Sequence, residues 1–148
     1  MFRGISFHTI DPKGRLIIPA RFREVIRNSE SEGLMVSHMD GCLVAYTLDV
    51  WKEIENRILS KAEKSESMRR FRRVFIGGAF ECGCDKQDRI LLPPTLRHYA
   101  SLEREIVLVG VLDHFEIWSR ERWDKENERI ELDMQQEDAR NEIAALGL

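Results

Sequence analysis

Two basic side chains flank a tight turn near the start of the chain. Lys13 and Arg15 lie on either side of Gly14 in the segment Asp-Pro-Lys-Gly-Arg at residues 11–15. Asp, Pro and Gly favour a turn, because Asp starts it, Pro fixes φ and Gly permits a positive φ. A strand leaving such a turn can present cations to a nucleic-acid groove. There arginine binds a guanine edge or a phosphate bidentately, and lysine acts as a point charge. Arg3, on the strand expected before the turn, is a further candidate for this face.

The same segment recurs 74 residues later. Residues 11–23 align with residues 85–97, and four of the 13 positions are identical. Three consecutive apolar residues follow the first arginine of each copy. Farther on, at an offset of 72, Leu43, Tyr46 and Trp51 align with Phe115, Trp118 and Trp123. The chain is therefore an internal duplication, and Lys86 and Arg89 are the candidate DNA-binding residues of its second copy.

Several motif residues also have a structural interpretation. Asp11 and Arg15 can pair across the turn and brace the hairpin, and a carboxylate facing phosphates would be repelled. Arg15 keeps both interpretations, DNA contact and brace. Each Pro and apolar triplet is expected in the core or in hairpin geometry. The last arginine of each copy is expected to cap or brace the short helix there, with DNA contact as its alternative. The residues assigned structural roles are Asp11, Gly14, Pro19, Arg23, Asp85, Pro93 and Arg97.

The segments around these motifs predict short elements. Strands are expected at 15–18, 34–37, 42–46, 89–92, 105–112 and 115–118, and helices at 20–27, about 50–64, 94–100 and about 121–145. Strands this short do not form a stable isolated sheet, and a half of about 74 residues buries too little surface by itself. An α+β fold is therefore predicted, in which the two halves pack into one pseudo-twofold body.

Composition excludes several classes of protein. The chain has 148 residues, 43% of them hydrophobic and 33% charged, which suits one compact unit. The longest apolar runs, 16–20 and 106–112, are far shorter than the ~20 residues that span a bilayer, and the N-terminus lacks a signal-peptide pattern. We therefore expect a cytoplasmic protein without a membrane partner.

Catalytic and metal-binding patterns are missing from the sequence. The cysteines Cys42, Cys82 and Cys84 are odd in number and are interpreted as reduced thiols, with structural zinc the less favoured alternative. The four histidines lack metal-ligand spacing, and neither a nucleophile setting nor a phosphate-binding loop is recognisable. The expectation is a non-enzyme with no cofactor, metal or small-molecule substrate.

The charge of the chain is segregated although its net value is only −3. Residues 1–29 and 61–73 each carry +4, whereas residues 124–148 carry eight acids and three bases. Local basic patches suit nucleic-acid binding even in a mildly acidic protein. The basic run 69–73 has two interpretations that stay open: a second DNA patch, or a helix end that pairs with a neighbouring subunit's acidic tail.

These residues resemble a known family. The half-repeat resembles the swapped-hairpin motif of AbrB-type DNA-binding domains. Two such motifs in one chain, with His-Phe-Glu-Ile-Trp at 114–118 and the closing Trp123, resemble the MraZ family of bacterial transcriptional regulators. The stretches 77–93 and 107–110 add to the resemblance, which covers residues 1–123 well and the tail only in being helical. Departures are Asp88 where the family has Gly, which puts a negative charge beside Arg89, and Thr47 where Pro is common.

The resemblance implies both a fold and a function. The fold would be two pseudo-symmetric swapped-hairpin β-barrel halves with flanking helices: residues 1–74, residues 75–123, and an acidic helical tail at 124–148. The function would be sequence-specific regulation, by repression, of the division and cell-wall gene cluster and of the protein's own promoter. The implied partners are double-stranded DNA carrying short direct repeats and further copies of the chain in a closed ring on the nucleoid. An AbrB-type antitoxin is the alternative, followed by a purely structural assembly protein.

Overall fold

The computed structural model describes residues 1–61 and 65–148. Within these ranges the strands are β1 (Phe2–Thr9), β2 (Arg15–Ile17), β3 (Leu34–Met39), β4 (Cys42–Thr47), β5 (Phe80–Cys82), β6 (Arg89–Leu91), β7 (Glu105–Leu112) and β8 (Phe115–Ser119). The helices are α1 (Ala20–Arg27), α2 (Leu48–Ser60), α3 (Glu66–Phe75), α4 (Pro94–Tyr99), α5 (Arg120–Asp133) and α6 (Glu137–Ala144). The predicted α+β class is confirmed.

The strands form two sheets. Six of them make an antiparallel sheet in the order β1-β7-β8-β4-β3-β5, and β2 pairs with β6 in a separate two-stranded ribbon. The expected closed barrels are wrong, because β1 and β5 end the large sheet without pairing with each other. The two halves contribute strands in turn across this sheet: β1 comes from the first half, β7 and β8 from the second, β4 and β3 from the first, and β5 from the second. Neither half therefore closes upon itself. No helix of the described residues is both long and apolar enough to cross a bilayer.

The sheet separates two apolar clusters. One cluster lies between the large sheet and the ribbon with α1 and α4, and its rings Phe2, Phe22 and Phe115 have centroids 4.9–5.3 Å apart. The other cluster includes Trp51 of α2 and Phe75 of α3, whose ring centroids lie 5.2 Å apart. Both faces of the large sheet are therefore covered at its centre. The ribbon packs on one of these faces through the first cluster.

Two predicted helices differ from the observed ones. Helix α2 ends at Ser60 because the backbone of Lys61 is extended, and the remaining predicted helical residues, 62–64, lie outside the described residues. The expected single helix at 121–145 is two helices, since α5 ends at Asp133 and α6 begins at Glu137.

Two further local features are the basic run 69–73 and the turn between β3 and β4. The basic run 69–73 lies within α3, a helix whose start is capped by Ser65, whose Oγ accepts a hydrogen bond from the Met68 N–H at 3.1 Å. Strands expected at 34–37 and 42–46 leave four residues between them, whereas β3 continues to Met39. Asp40 and Gly41 both adopt positive φ, which permits a two-residue hairpin turn.

Candidate nucleic-acid interface

The ribbon brings the two motif copies together. Leu16 lies opposite Ile90, Arg15 opposite Leu91 and Ile17 opposite Arg89. Side chains alternate along a strand, and Leu16 and Ile90 are 1% and 0% exposed in the core. Arg15, Ile17, Arg89 and Leu91 therefore share the outer face of the ribbon. Arg15, Ile17 and Arg89 line one surface cleft.

The prediction for the middle residue of each apolar triplet is wrong. Both triplets were expected in the core or in hairpin geometry, yet Ile17 and Leu91 are 55% and 56% exposed. Their neighbours on either side are buried, including Ile18 and Leu92 at 0% exposed. The period of two along a strand carried this signal, because three consecutive residues of a strand cannot all face one side. The outer face thus has two arginines and two aliphatic side chains.

A carboxylate braces each turn. Asp11 accepts hydrogen bonds from the backbone N–H of Lys13 at 3.0 Å and of Arg15 at 2.8 Å, and from Arg15 Nε at 2.6 Å. These bonds, first of all the one from the Arg15 backbone, hold the pKa of Asp11 below its ordinary value. The brace orients the Arg15 side chain, which stays about one-third exposed.

The second copy repeats this arrangement. Asp85 accepts from the backbone N–H of Gln87 and of Arg89, each at 2.9 Å, and from Arg89 Nε at 3.0 Å. The pKa of Asp85 is lowered, chiefly by the bond from the Arg89 backbone. The two arginines are therefore held in the same way on one face of the ribbon.

The fourth turn position differs between the copies. Gly14 has φ +90°, and a Cβ there would lie 2.6 Å from Nε of Arg97, which donates to the carbonyl oxygen of Leu92 at 3.0 Å. Glycine is therefore needed in the first turn. In the second turn Asp88 takes this position with φ 60°.

Asp88 is paired across the two halves of the molecule. Its carboxylate lies 3.4 Å from Nε of Arg23 and 3.8 Å from an Nη of Arg27. Arg23 also donates to the carbonyl oxygen of Ile18. The negative charge expected to act beside Arg89 thus faces arginines of the first half.

The remaining predicted cations lie at different distances from the ribbon. Lys13 and Lys86 are exposed in turns at its two opposite ends. Arg3 is exposed near the start of β1, whereas Thr9, six residues farther along that strand, lines the cleft with Arg15. Six strand residues span about 20 Å, so the structure does not bring Arg3 to the ribbon.

One cation of the cleft, Arg104, was not among the residues predicted from the sequence. Arg104 is exposed and lines the cleft with Arg15 and Arg89, and its carbonyl oxygen accepts a hydrogen bond from the Ile10 N–H at 2.8 Å. It lies outside the repeated motif, so no pattern in the sequence distinguishes it from other arginines.

The cysteines and tryptophans do not belong to this surface. Cys42 and Cys82 are buried and Cys84 is exposed, all three as free thiols. In residues 1–61 and 65–148, no three His, Cys, Asp or Glu side chains cluster as metal ligands. Trp51 and Trp118 are buried in the cluster on the opposite face of the large sheet. The ribbon face thus presents cations and aliphatic groups, and the acids Asp11 and Glu103 also line its cleft.

Comparison with known proteins identifies relatives over the whole length. A family model described as "MraZ protein, putative antitoxin-like" matches residues 1–74 and 75–142. A protein of Desulforapulum autotrophicum named "Transcriptional regulator MraZ" is 61% identical over 148 residues, all of both chains. One of the same name from Desulfosudis oleivorans is 53% identical over 148 residues, again all of both chains. A third, from Syntrophobacter fumaroxidans, is 46% identical over 123 residues, 83% of this chain and 82% of the relative.

Proposed function

Because the chain belongs to the MraZ family, we propose that it is a transcriptional regulator that binds DNA sequence-specifically. Its action is repression of the division and cell-wall gene cluster, including its own promoter. It works in the cytoplasm, on the nucleoid, and its role is regulatory with no catalytic step. The names of the relatives support the regulator, and the ribbon surface supports DNA as its partner.

The observation that carries this proposal is that Arg15 and Arg89, on the two strands of the ribbon, share one exposed face. A two-stranded β-ribbon fits the major groove, where arginine binds O6 and N7 of guanine bidentately. Ile17 and Leu91 lie between the arginines and suit apolar contact with thymine methyl groups. The ribbon therefore offers groups for both kinds of base contact.

The turns at the ends of the ribbon supply the phosphate contacts. Lys13 and Lys86 are exposed there and act as point charges toward the DNA backbone. Contacts to phosphates fix the position of the protein on the duplex, and contacts to base edges select the sequence. In this arrangement Asp11 and Asp85 serve as braces of the arginines, and each carboxylate accepts a hydrogen bond from its own arginine.

Several copies act together in the proposed assembly. The two halves of the chain are not identical, so they offer different surfaces for a head-to-tail contact, and such contacts close into a ring when the rotation permits. A ring places several ribbons on successive direct repeats. Each bound ribbon raises the effective concentration of the next one, so affinity increases with the number of repeats.

A fluorescence-anisotropy titration tests the proposal with DNA from upstream of the protein's own gene, beside scrambled DNA, at two salt concentrations. Preference for the upstream DNA is expected, with a steep salt dependence, because log affinity falls by about 0.9 per phosphate contact for each unit of log salt. Inserting about 5 base pairs between repeats turns the next site to the opposite face and should weaken binding. Equal binding of both DNAs would contradict sequence-specific regulation and favour the antitoxin or assembly function.

A further inference from the structure

An apolar groove lies on the side of the molecule away from the ribbon, between α2 and α3. Its volume is about 460 Å³, and its apolar lining comes from Tyr46, Ile54, Ile58, Met68, Phe71 and Phe75. Tyr46 and Phe75 are buried at its base, and Met68 at its rim is 50% exposed. Apolar grooves between helices bind amphipathic helices, whose apolar face fills the groove.

The charged rim of the groove is mainly basic. Arg57, Lys61 and Arg72 line it with the single acid Asp113 within the described residues. Helix α3 carries further arginines at 69, 70 and 73, of which Arg70 is paired with Glu66 at 3.0 Å. A partner for this groove must therefore combine apolar side chains with acidic ones.

The C-terminal tail has this combination. Residues 124–148 carry eight acids against three bases. Ile130 of α5 and Met134, the residue that follows the end of α5, lie four residues apart on one helix face and are 49% and 40% exposed. Glu131 and Asp133 flank Ile130 at about 100° and 60° around the helix, so acids border the apolar stripe on both sides.

The tail does not pack on its own chain. Helices α5 and α6 bury no residue, and residues 127–138 are all exposed. Only the first turn of α5 is anchored, where Arg122 donates to the carbonyl oxygens of Gly41 and Tyr99 at 2.8 and 2.9 Å. The apolar stripe beyond this anchor has no cover from the described part of its own molecule.

We propose that the acidic tail of one copy docks into the α2–α3 groove of the next copy. Ile130 and Met134 enter the apolar groove, while Glu131 and Asp133 face Arg57 and Lys61 at its rim. This contact deepens the proposed self-association, because it joins the end of one chain to a different surface of its neighbour. It also places a protein helix beside Met68 and Phe71 of α3.

Site-directed cross-linking in the full-length protein tests the contact. One chain carries Met68→Cys and the other Ile130→Cys, both with Cys84→Ser so that the exposed native thiol is removed. After mixing and mild oxidation, a disulfide-linked dimer of the two different chains is expected. Leu59→Cys replaces Met68→Cys in the matched control, because Leu59 is exposed on α2 outside the groove lining. Equal cross-linking through Leu59→Cys would overturn the proposal, as would a cross-link confined within one chain carrying both cysteines.

A charge exchange supplies the second test. Arg57→Glu with Lys61→Glu should weaken self-association by about tenfold or more in sedimentation velocity. Adding Glu131→Lys and Asp133→Lys should restore it, which a merely unfolded variant would not show. Weaker DNA binding at unchanged sedimentation would make the rim a DNA patch and overturn the proposal. Sedimentation of the unmodified chain as a monomer would refute both the ring and this contact. An oligomer without the Met68–Ile130 cross-link would refute this contact alone.

Discussion

Leu16 of the first motif copy lies directly opposite Ile90, its own equivalent in the second copy, at the centre of the β2–β6 ribbon. Their separation in sequence, 74 residues, is the offset of the repeat. In the large sheet Val44 lies opposite Glu116, its equivalent at the offset of 72. A pseudo-twofold axis therefore passes through both pairs, and each motif copy pairs with the other as the chains of a symmetric dimer do.

Replacing the ribbon arginines tests the DNA contact. Arg15→Ala should remove most DNA binding, and Arg89→Ala should act in the same direction, because each removes a groove contact of roughly 1–3 kcal/mol. Anisotropy titrations measure the affinity and thermal unfolding measures the stability. Unchanged affinity in folded Arg15→Ala protein would contradict the prediction. Loss of the folded state would show that Arg15 serves mainly as the partner of Asp11.

Substitutions at two neighbouring residues of β2, Leu16 and Ile17, distinguish a packing role from a DNA-binding role. Leu16→Ala should destabilise the fold by about 2–5 kcal/mol, because its side chain is fully buried. Ile17→Ala should leave stability within about 0.5 kcal/mol and reduce the preference for target over scrambled DNA, since its side chain is exposed on the ribbon. Denaturant unfolding and competition titrations distinguish the two. An Ile17→Ala protein with full DNA discrimination would remove the aliphatic contact from the mechanism.

The second turn provides a matched pair of variants at Asp88. Asp88→Gly removes the backbone strain of the positive φ but also removes the ion pair with Arg23. Each effect changes the free energy of unfolding by about 1 kcal/mol, in opposite directions, so they offset one another. Asp88→Ala loses the ion pair and keeps the strain, so it should be the less stable variant in thermal unfolding. DNA affinity of Asp88→Gly should equal or exceed that of the unmodified protein. A fall in affinity at constant stability would give Asp88 a direct role in binding.

His114 at the β7–β8 turn predicts a dependence of stability on pH. Glu116 and Asp113 raise the pKa of His114 above its ordinary value of 6.5, and Nδ1 lies 2.7 Å from the Asp113 carboxylate. A raised folded-state pKa gives stability that is complete below pH 6.5 and disappears as the pH rises through the folded value. His114→Gln should therefore lower the free energy of unfolding more at about pH 6 than at about pH 8, as measured by urea unfolding. His98→Gln, at an exposed histidine, is the control. An equal loss of unfolding free energy at both pH values would exclude a contribution from protonated His114.

Local chemistry in the sequence determined much of the molecule. The turn residues Asp11 and Gly14, the positions of most short strands and helices, and the duplication at an offset of 74 follow from residue type and spacing. These features depend on backbone preference and on periods of a few residues, which a sequence displays directly. The duplication also predicted that the halves pack together, because neither half buries enough surface alone.

Only the tertiary structure decided which faces and partners these elements have. Pairing of β2 with β6 joins residues 74 apart, and no local pattern specifies such a partner. That pairing places the outward Ile17 and Leu91 on one face with both arginines, and it brings Asp88 to Arg23 rather than to Arg89. The open sheet has the same origin, since strands of one half are hydrogen-bonded to strands of the other. A strand's sequence indicates that one side is buried, but the neighbour it meets is fixed by the packing of the whole chain.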